Sequence, residues 1–140
     1  MSSSNDVMDT EMYNEKNRIK SFENWPHDTG NITKEVMAKN GFYHQPDHID
    51  NGGYDLVRCV FCDIHIYEWQ PNDDPNVEHQ KANPDCLFAK LNKPQTNLTP
   101  NEFMEIVDEK NSIKIKQYFE MSKKIQIERI EKIKNIMKKL

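Results

Sequence analysis

CVFCDIHIYEWQPNDDPNVEHQKANPDC, residues 59–86, decides the fold. Cys59, Cys62, His79 and Cys86 stand in a C-x2-C-x16-H-x6-C array that uses every cysteine of the chain. A Cys-x-x-Cys knuckle aims two thiolates at one point. A third thiolate and an imidazole then complete a tetrahedral zinc shell, one structural Zn2+ with no position left for water. Such a metal holds a fold together and does no chemistry. Three cysteines cannot pair fully as disulfides, and a redox reading of Cys59 and Cys62 leaves His79 and Cys86 without a role.

Outward from this array, the composition calls for such a staple. The 140 residues are 36% hydrophobic and 30% charged, so a single large core is not expected. No apolar run approaches membrane-spanning length. Residues 1–10 are polar with no apolar signal region, and metal-held thiols suit an intracellular protein. The net charge of -4 is unevenly spread: residues 1–98 carry -7 and residues 99–140 carry +3. An acidic first part argues against a direct DNA-binding face and suits a cationic peptide. The same carboxylates also serve plain solubility.

Residues 1–14 read as a disordered N-terminus. Ile19, Phe22 and Trp25 recur at spacing three, which predicts a helix over 18–25 ending at Pro26. Thr33 and Gly41 bracket a second helix as cap and stop. Phe42 and Tyr43 read as core or groove aromatics, and 45–53 as a loop. Residues 54–58 and 64–67 read as strands flanking the knuckle. Asp73-Asp74-Pro75 is a helix-start signal, Asp74 the better cap, and that helix presents His79 to the metal until Pro84 ends it. Residues 87–98 read as connector, with the domain taken as 15–90 and the linker as 91–98. His27, His44 and His48 read as surface or loop residues.

Thr99-Pro100-Asn101-Glu102 is a capping box with proline at the first helical position. No proline or glycine follows through Leu140. Phe103, Ile106, Ile113, Ile127, Ile130, Ile133 and Met137 recur among Lys and Glu. A helix over 99–140 is roughly 60 Å long, so most of it is expected to project and to seek partner helices in a mixed bundle. The alternative is that it folds back as ordinary core. The expected fold class is therefore α+β: a small zinc domain with a short three-stranded sheet and short helices, then one long C-terminal helix.

Residues 15–90 resemble the BIR family, the zinc modules of inhibitor-of-apoptosis proteins. The resemblance rests on Arg18-Ile19-Lys20-Ser21-Phe22-Glu23-Asn24-Trp25-Pro26, on Met37-Ala38-Lys39-Asn40-Gly41-Phe42-Tyr43, and on the zinc array with Trp69, Asp73-Asp74-Pro75 and Glu78. A single BIR, a long terminal helix and the segment Leu98-Thr99-Pro100-Asn101-Glu102-Phe103 are similar to the survivin branch of the family. That resemblance implies a non-enzymatic adaptor of the chromosomal passenger complex. Its helix would bundle with borealin-like and inner-centromere-protein-like helices, and its BIR would read a histone N-terminal tail for Aurora kinase targeting. The implied locations are nucleus, centromere, spindle midzone and cytoplasm. The other class is an apoptosis inhibitor that binds caspases or sequesters their antagonists.

BIR domains take peptides with a free N-terminal residue, usually alanine. By resemblance, Asp73 and Glu78 face the ammonium, Trp69 and Ile66 wall the methyl socket, Ile64 to Trp69, Tyr67 among them, offers the edge, and Glu68 takes a basic second residue. Survivin-type members read a phosphorylated threonine with basic groups at positions that here hold Ile64 and Ala82. Neither can pair with phosphate; His65 and Lys81 stand near as substitutes. Asn76, where an acidic or tryptophan residue is usual, is expected to loosen the helix start. Pro100 and Phe103, with Tyr13 behind them, are the candidates for a homodimer contact in the unbound protein.

Overall fold

The elements before residue 100 are short, and local signals stop several of them. The computed structural model describes residues 10–46 and 53–140. The order is α1 (Glu15–Ser21), α2 (Lys34–Lys39), β1 (Phe42–His44), a 3₁₀ turn (Gly53–Asp55), β2 (Val57–Cys59), β3 (His65–Ile66), α3 (Pro75–Ala82), α4 (Leu87–Leu91), a second 3₁₀ turn (Gln95–Asn97) and α5 (Pro100–Lys138). The Thr33 hydroxyl caps α2 by accepting from Val36 N. Gly41 ends it at φ +89, and an added Cβ there would meet the Phe61 and Phe88 rings at 3.0 and 3.1 Å. Only glycine combines that backbone angle with that close approach.

The three strands form one antiparallel sheet in the order β1-β2-β3, with Phe42 opposite Cys59 and Val57 opposite Ile66. A sheet this small is not self-supporting and needs cover. Phe42, Val57, Trp69, Ile32, Met37 and Phe88 supply it from both sides of the chain order. The chain divides into two compact units, one ending at Ile106 and one over Val107–Leu140. The second is uninterrupted helix to Lys138. Among the described residues no helix is long and apolar enough to cross a membrane.

Arg18 ties the first unit together. It is fully buried, and its guanidinium donates to Ala38 O (2.9 Å), Met12 O (2.9 Å), Tyr13 O (3.2 Å) and Gln95 Oε1 (2.8 Å). Burial pulls its pKa down to about 10, with Glu15 at 3.9 Å and Cys59 opposing, so it stays charged at neutral pH. A buried charge is tolerated only when its donors are met, and here they bind the N-terminal segment, α2 and the stretch before α5 into one body.

Several expectations change. The first helix spans Glu15–Ser21 and not 18–25: Asn14 caps it, and Phe22 and Trp25 sit in the turns after it, packed edge to face. Residues 10–14 are ordered, with 10–12 helical and Tyr13 against Phe61 and Phe103. Phe42–His44 is a strand, residues 53–55 are a 3₁₀ turn, and α4 occupies the start of the expected connector. His44 is buried, stacked on Phe22, with Nε2 2.6 Å from Tyr54 O. His27 is bonded to Asp55. His48 and most of the 45–53 loop lie outside the described residues.

Replacing Arg18 by Met should leave at least one buried carbonyl without a donor and cost about 3 kcal/mol or more. Urea unfolding checks this. Arg18→Lys should recover little, because an ammonium lacks the planar fork that reaches several acceptors at once.

Candidate functional site

Four elements deliver the metal ligands. Cys59 ends β2, and Asp63 N donates back to Cys59 O (2.9 Å) to close the knuckle. Asp63 sits at φ +65, held by Arg58 at 2.7 Å. Asp74 caps α3 by accepting from Asn76 N and Val77 N, with Pro75 at its start, and this sets His79 facing inward. Cys86 is the cap residue of α4.

The three sulfurs and a His79 ring nitrogen all lie within 4.8 Å of one another. Ligands placed roughly 2.0–2.3 Å from a tetrahedral zinc are themselves about 3.3–3.8 Å apart, so the cluster fits that ion. His79 Nε2 stands 3.5 Å from Cys62 Sγ, and Phe61 N donates to Cys59 Sγ (3.3 Å). The charge state points the same way. Burial, then hydrogen bonds with Cys62 and Cys86, push the Cys59 thiol well up. Hydrogen bonds from Cys59 and Cys86 pull Cys62 well down. Cys86 is pushed up to about 12: the Cys59 contact pulls down, but Cys62 and burial outweigh it. Three thiolates this close together, two of them buried, cannot coexist without a cation to neutralise them. The four residues form a Cys3His zinc-binding site.

The peptide edge is less open than the sequence implied. β3 is the last strand in the sheet order, which leaves one side of it unpaired by the described strands. Ile64 and Ile66 pack partly on the core, while Tyr67 and Glu68 are exposed. Trp69 is 2% exposed and stands edge-on to Phe42, so its ring is a core face more than a socket wall. Its buried Nε1 has no hydrogen-bond partner. Asp73 is half-buried and accepts from Gln70 N (2.8 Å), and Glu78 is half-buried with Lys81 at 3.5 Å. Burial, then the Arg58 charge, lowers the His65 pKa, so this ring is neutral at pH 7 and supplies no cation for phosphate. Asn76 does not loosen α3: it donates to Ala89 O (3.1 Å) and ties α3 to α4.

Sequence reasoning missed the residue that shapes this edge. Asp55, 7% exposed, accepts from Glu68 N (2.9 Å), Trp69 N (2.8 Å) and His27 Nε2 (2.9 Å). Glu68 takes φ +62, a conformation non-glycine residues adopt at a cost unless it is held. An acid just before a strand was the only signal available.

On α5 the candidate partner residues separate. Ile106 is 2% exposed and Phe103 packs on Tyr13 and Phe61, so both are core of the first unit. Phe103 is half-buried and Pro100 is exposed. At about 100° per residue, Ile130, Ile133 and Met137 share a sector, Ile127 lies outside it, and Ile113 is on the opposite side.

The profile of the family described as BIR, Inhibitor of Apoptosis domain, matches residues 18–90. Baculoviral IAP repeat-containing protein 5.2-B of Xenopus laevis is 41% identical over 107 residues, which is 76% of this chain and 66%, just under two thirds, of that relative. Baculoviral IAP repeat-containing protein 5 of Cavia porcellus is 32% identical over 131 residues, 93% of this chain and 90% of its own. Among solved structures, the autoinhibited dIAP1-BIR1 domain is similar with a TM-score of 0.49 and 30% identity, covering 71% of this chain and 91% of that one.

Zinc removal by a strong chelator at neutral pH should unfold the first unit, because the apparent binding free energy of such a site, about 10–16 kcal/mol, is folding free energy. Cys62→Ala should do the same. Because Cys59 and Cys86 hold their protons when metal-free, zinc binding releases protons and weakens as pH falls. Metal analysis and circular dichroism on acidification check it; a folded, zinc-free chain at neutral pH is the contrary result.

Proposed function

This chain belongs to the BIR family of inhibitor-of-apoptosis proteins as a survivin-like member, and on that premise we propose that it is a non-catalytic adaptor of the chromosomal passenger complex. Its zinc unit holds a basic peptide with a free N-terminal alanine, of the histone-tail kind. Its long helix bundles with borealin-like and inner-centromere-protein-like helices. Together they bring an Aurora kinase to centromere and spindle midzone in dividing cells.

One observation carries the reading. The same chain joins a zinc site with four protein ligands to a helix whose Ile130, Ile133 and Met137 stand 52%, 56% and 65% exposed. Four protein ligands leave no metal position for water and no thiol for nucleophilic work. A stripe of that exposure is the kind of surface partner helices bury. On the zinc unit, Asp73 and Glu78 supply half-buried anionic groups and β3 supplies a terminal strand, the two features an ammonium-led peptide in added-strand geometry requires.

Two measurements test the two halves separately. An alanine-starting basic peptide should bind, and N-terminal acetylation should lower affinity at least tenfold, about 1.4 kcal/mol. Threonine phosphorylation should add less than that, because Ile64 and Ala82 carry no charge and His65 is neutral. Equal binding of the acetylated peptide would place the site elsewhere. For the helix, Ile130→Glu with Ile133→Glu should abolish co-purification with borealin-like and inner-centromere-protein-like helices, since each buried isoleucine is worth roughly 1.5–3 kcal/mol. Zinc content and tail binding should not change.

A further inference from the structure

The exposed part of α5 is as strongly charged as it is apolar. Residues 111–140 carry nine Lys or Arg against three Glu, a net +6. Ile115, Tyr118, Phe119, Ile133, Ile136 and Met137 are each more than half exposed. At 3.6 residues per turn they fall within one sector of about 100°. Lys114, Lys132 and Lys139 border that sector on one side, and Lys116, Lys123 and Lys134 on the other. The glutamates Glu120, Glu128 and Glu131 lie on the far face.

The sector is polar along its middle. Ser122, Gln126 and Arg129 occupy it between the Ile115 to Phe119 patch and the Ile133 to Met137 patch, with Ile125 and Ile130 at its two edges. Arg129 has no carboxylate three or four residues away: those positions are Ile125, Gln126, Lys132 and Ile133. An arginine inside an apolar seam costs stability unless the covering surface answers it, and such a residue sets register and partner choice. A second parallel copy would set Arg129 against Arg129 and lysine border against lysine border. A lipid surface would accept the lysine borders but gains nothing from a polar layer through the middle of the apolar face.

We propose that the partner covering this face is an acidic amphipathic helix that sets a carboxylate opposite Arg129. The inference rests on the helix-docking reading above and specifies its chemistry. The apolar patches supply attraction, the lysine borders select an acidic partner, and Arg129 fixes the register.

The test uses the full zinc-loaded chain and two synthetic helical peptides with identical leucine and isoleucine seams. One has glutamate borders and a single central glutamate, and the other has lysine borders. The acidic peptide should bind at least about tenfold more tightly at roughly 0.05 M salt, with the gap narrowing at roughly 0.5 M. Ile133→Glu should abolish its binding. Arg129→Met, and glutamine for the peptide's central glutamate, should each cost about tenfold, and the two together no more than either alone. Equal binding of both peptides, lost in Ile133→Glu, would overturn the acidic partner while leaving helix docking intact. Binding that ignores Ile133→Glu, or no binding of the acidic peptide, would overturn the proposal. So would tighter recruitment to phosphatidylserine vesicles, or a dimer of the chain alone that Ile133→Glu dissociates.

Discussion

Four ligand atoms drawn to within 4.8 Å of one another impose the condition that every other part of the first unit must satisfy. They come from the end of β2, the turn after it, the middle of α3 and the cap of α4. Fixing them together closes loops that the hydrophobic core alone would have to hold shut against chain entropy. The strands are two or three residues long, and no such sheet persists without help. The metal lets a chain with little apolar material keep Phe42, Val57 and Cys59 fully buried.

Around that centre, two buried charged side chains do work usually left to regular secondary structure. Arg18 supplies donors to the Met12, Tyr13 and Ala38 carbonyls and so joins segments far apart in sequence. Asp55 supplies acceptors to the amides of Glu68 and Trp69, where the chain turns through a left-handed conformation at the end of the edge strand. Both obey the rule that a buried polar group must find its partners. β3 runs directly into the turn that the Asp55 contact holds.

What could be read from the sequence follows from how local each signal is. The zinc array, the Asp74-Pro75 start of α3 and the Thr99-to-Glu102 box need only residues a few positions apart. The box is present as two reciprocal bonds, Thr99 N to Glu102 Oε1 (2.9 Å) and Glu102 N to the Thr99 hydroxyl (3.1 Å). Arg18 was legible as a helix residue but not as a clamp, because its partners Ala38 and Gln95 lie 20 and 77 positions away. β1 escaped notice because all three residues are buried, so no alternation marks it as a strand. α4, at five residues, is too short to show a helical period. Phe103 and Ile106 carry the same spacing as the later isoleucines, and spacing cannot tell which unit buries a residue.

The two units carry net charge of opposite sign. Residues 1–106 carry -9 and residues 107–140 carry +5. A basic tail attracted to the carboxylates of the first is repelled by the lysine borders of the second, and an acidic helix meets the reverse. Screening reaches about 8 Å at physiological ionic strength, so these preferences act where ligands touch, on each unit separately. Apolar burial alone would let any amphipathic helix cover the exposed isoleucines, since it carries no direction. Under the proposal, charge at the borders and at Arg129 would make that surface selective.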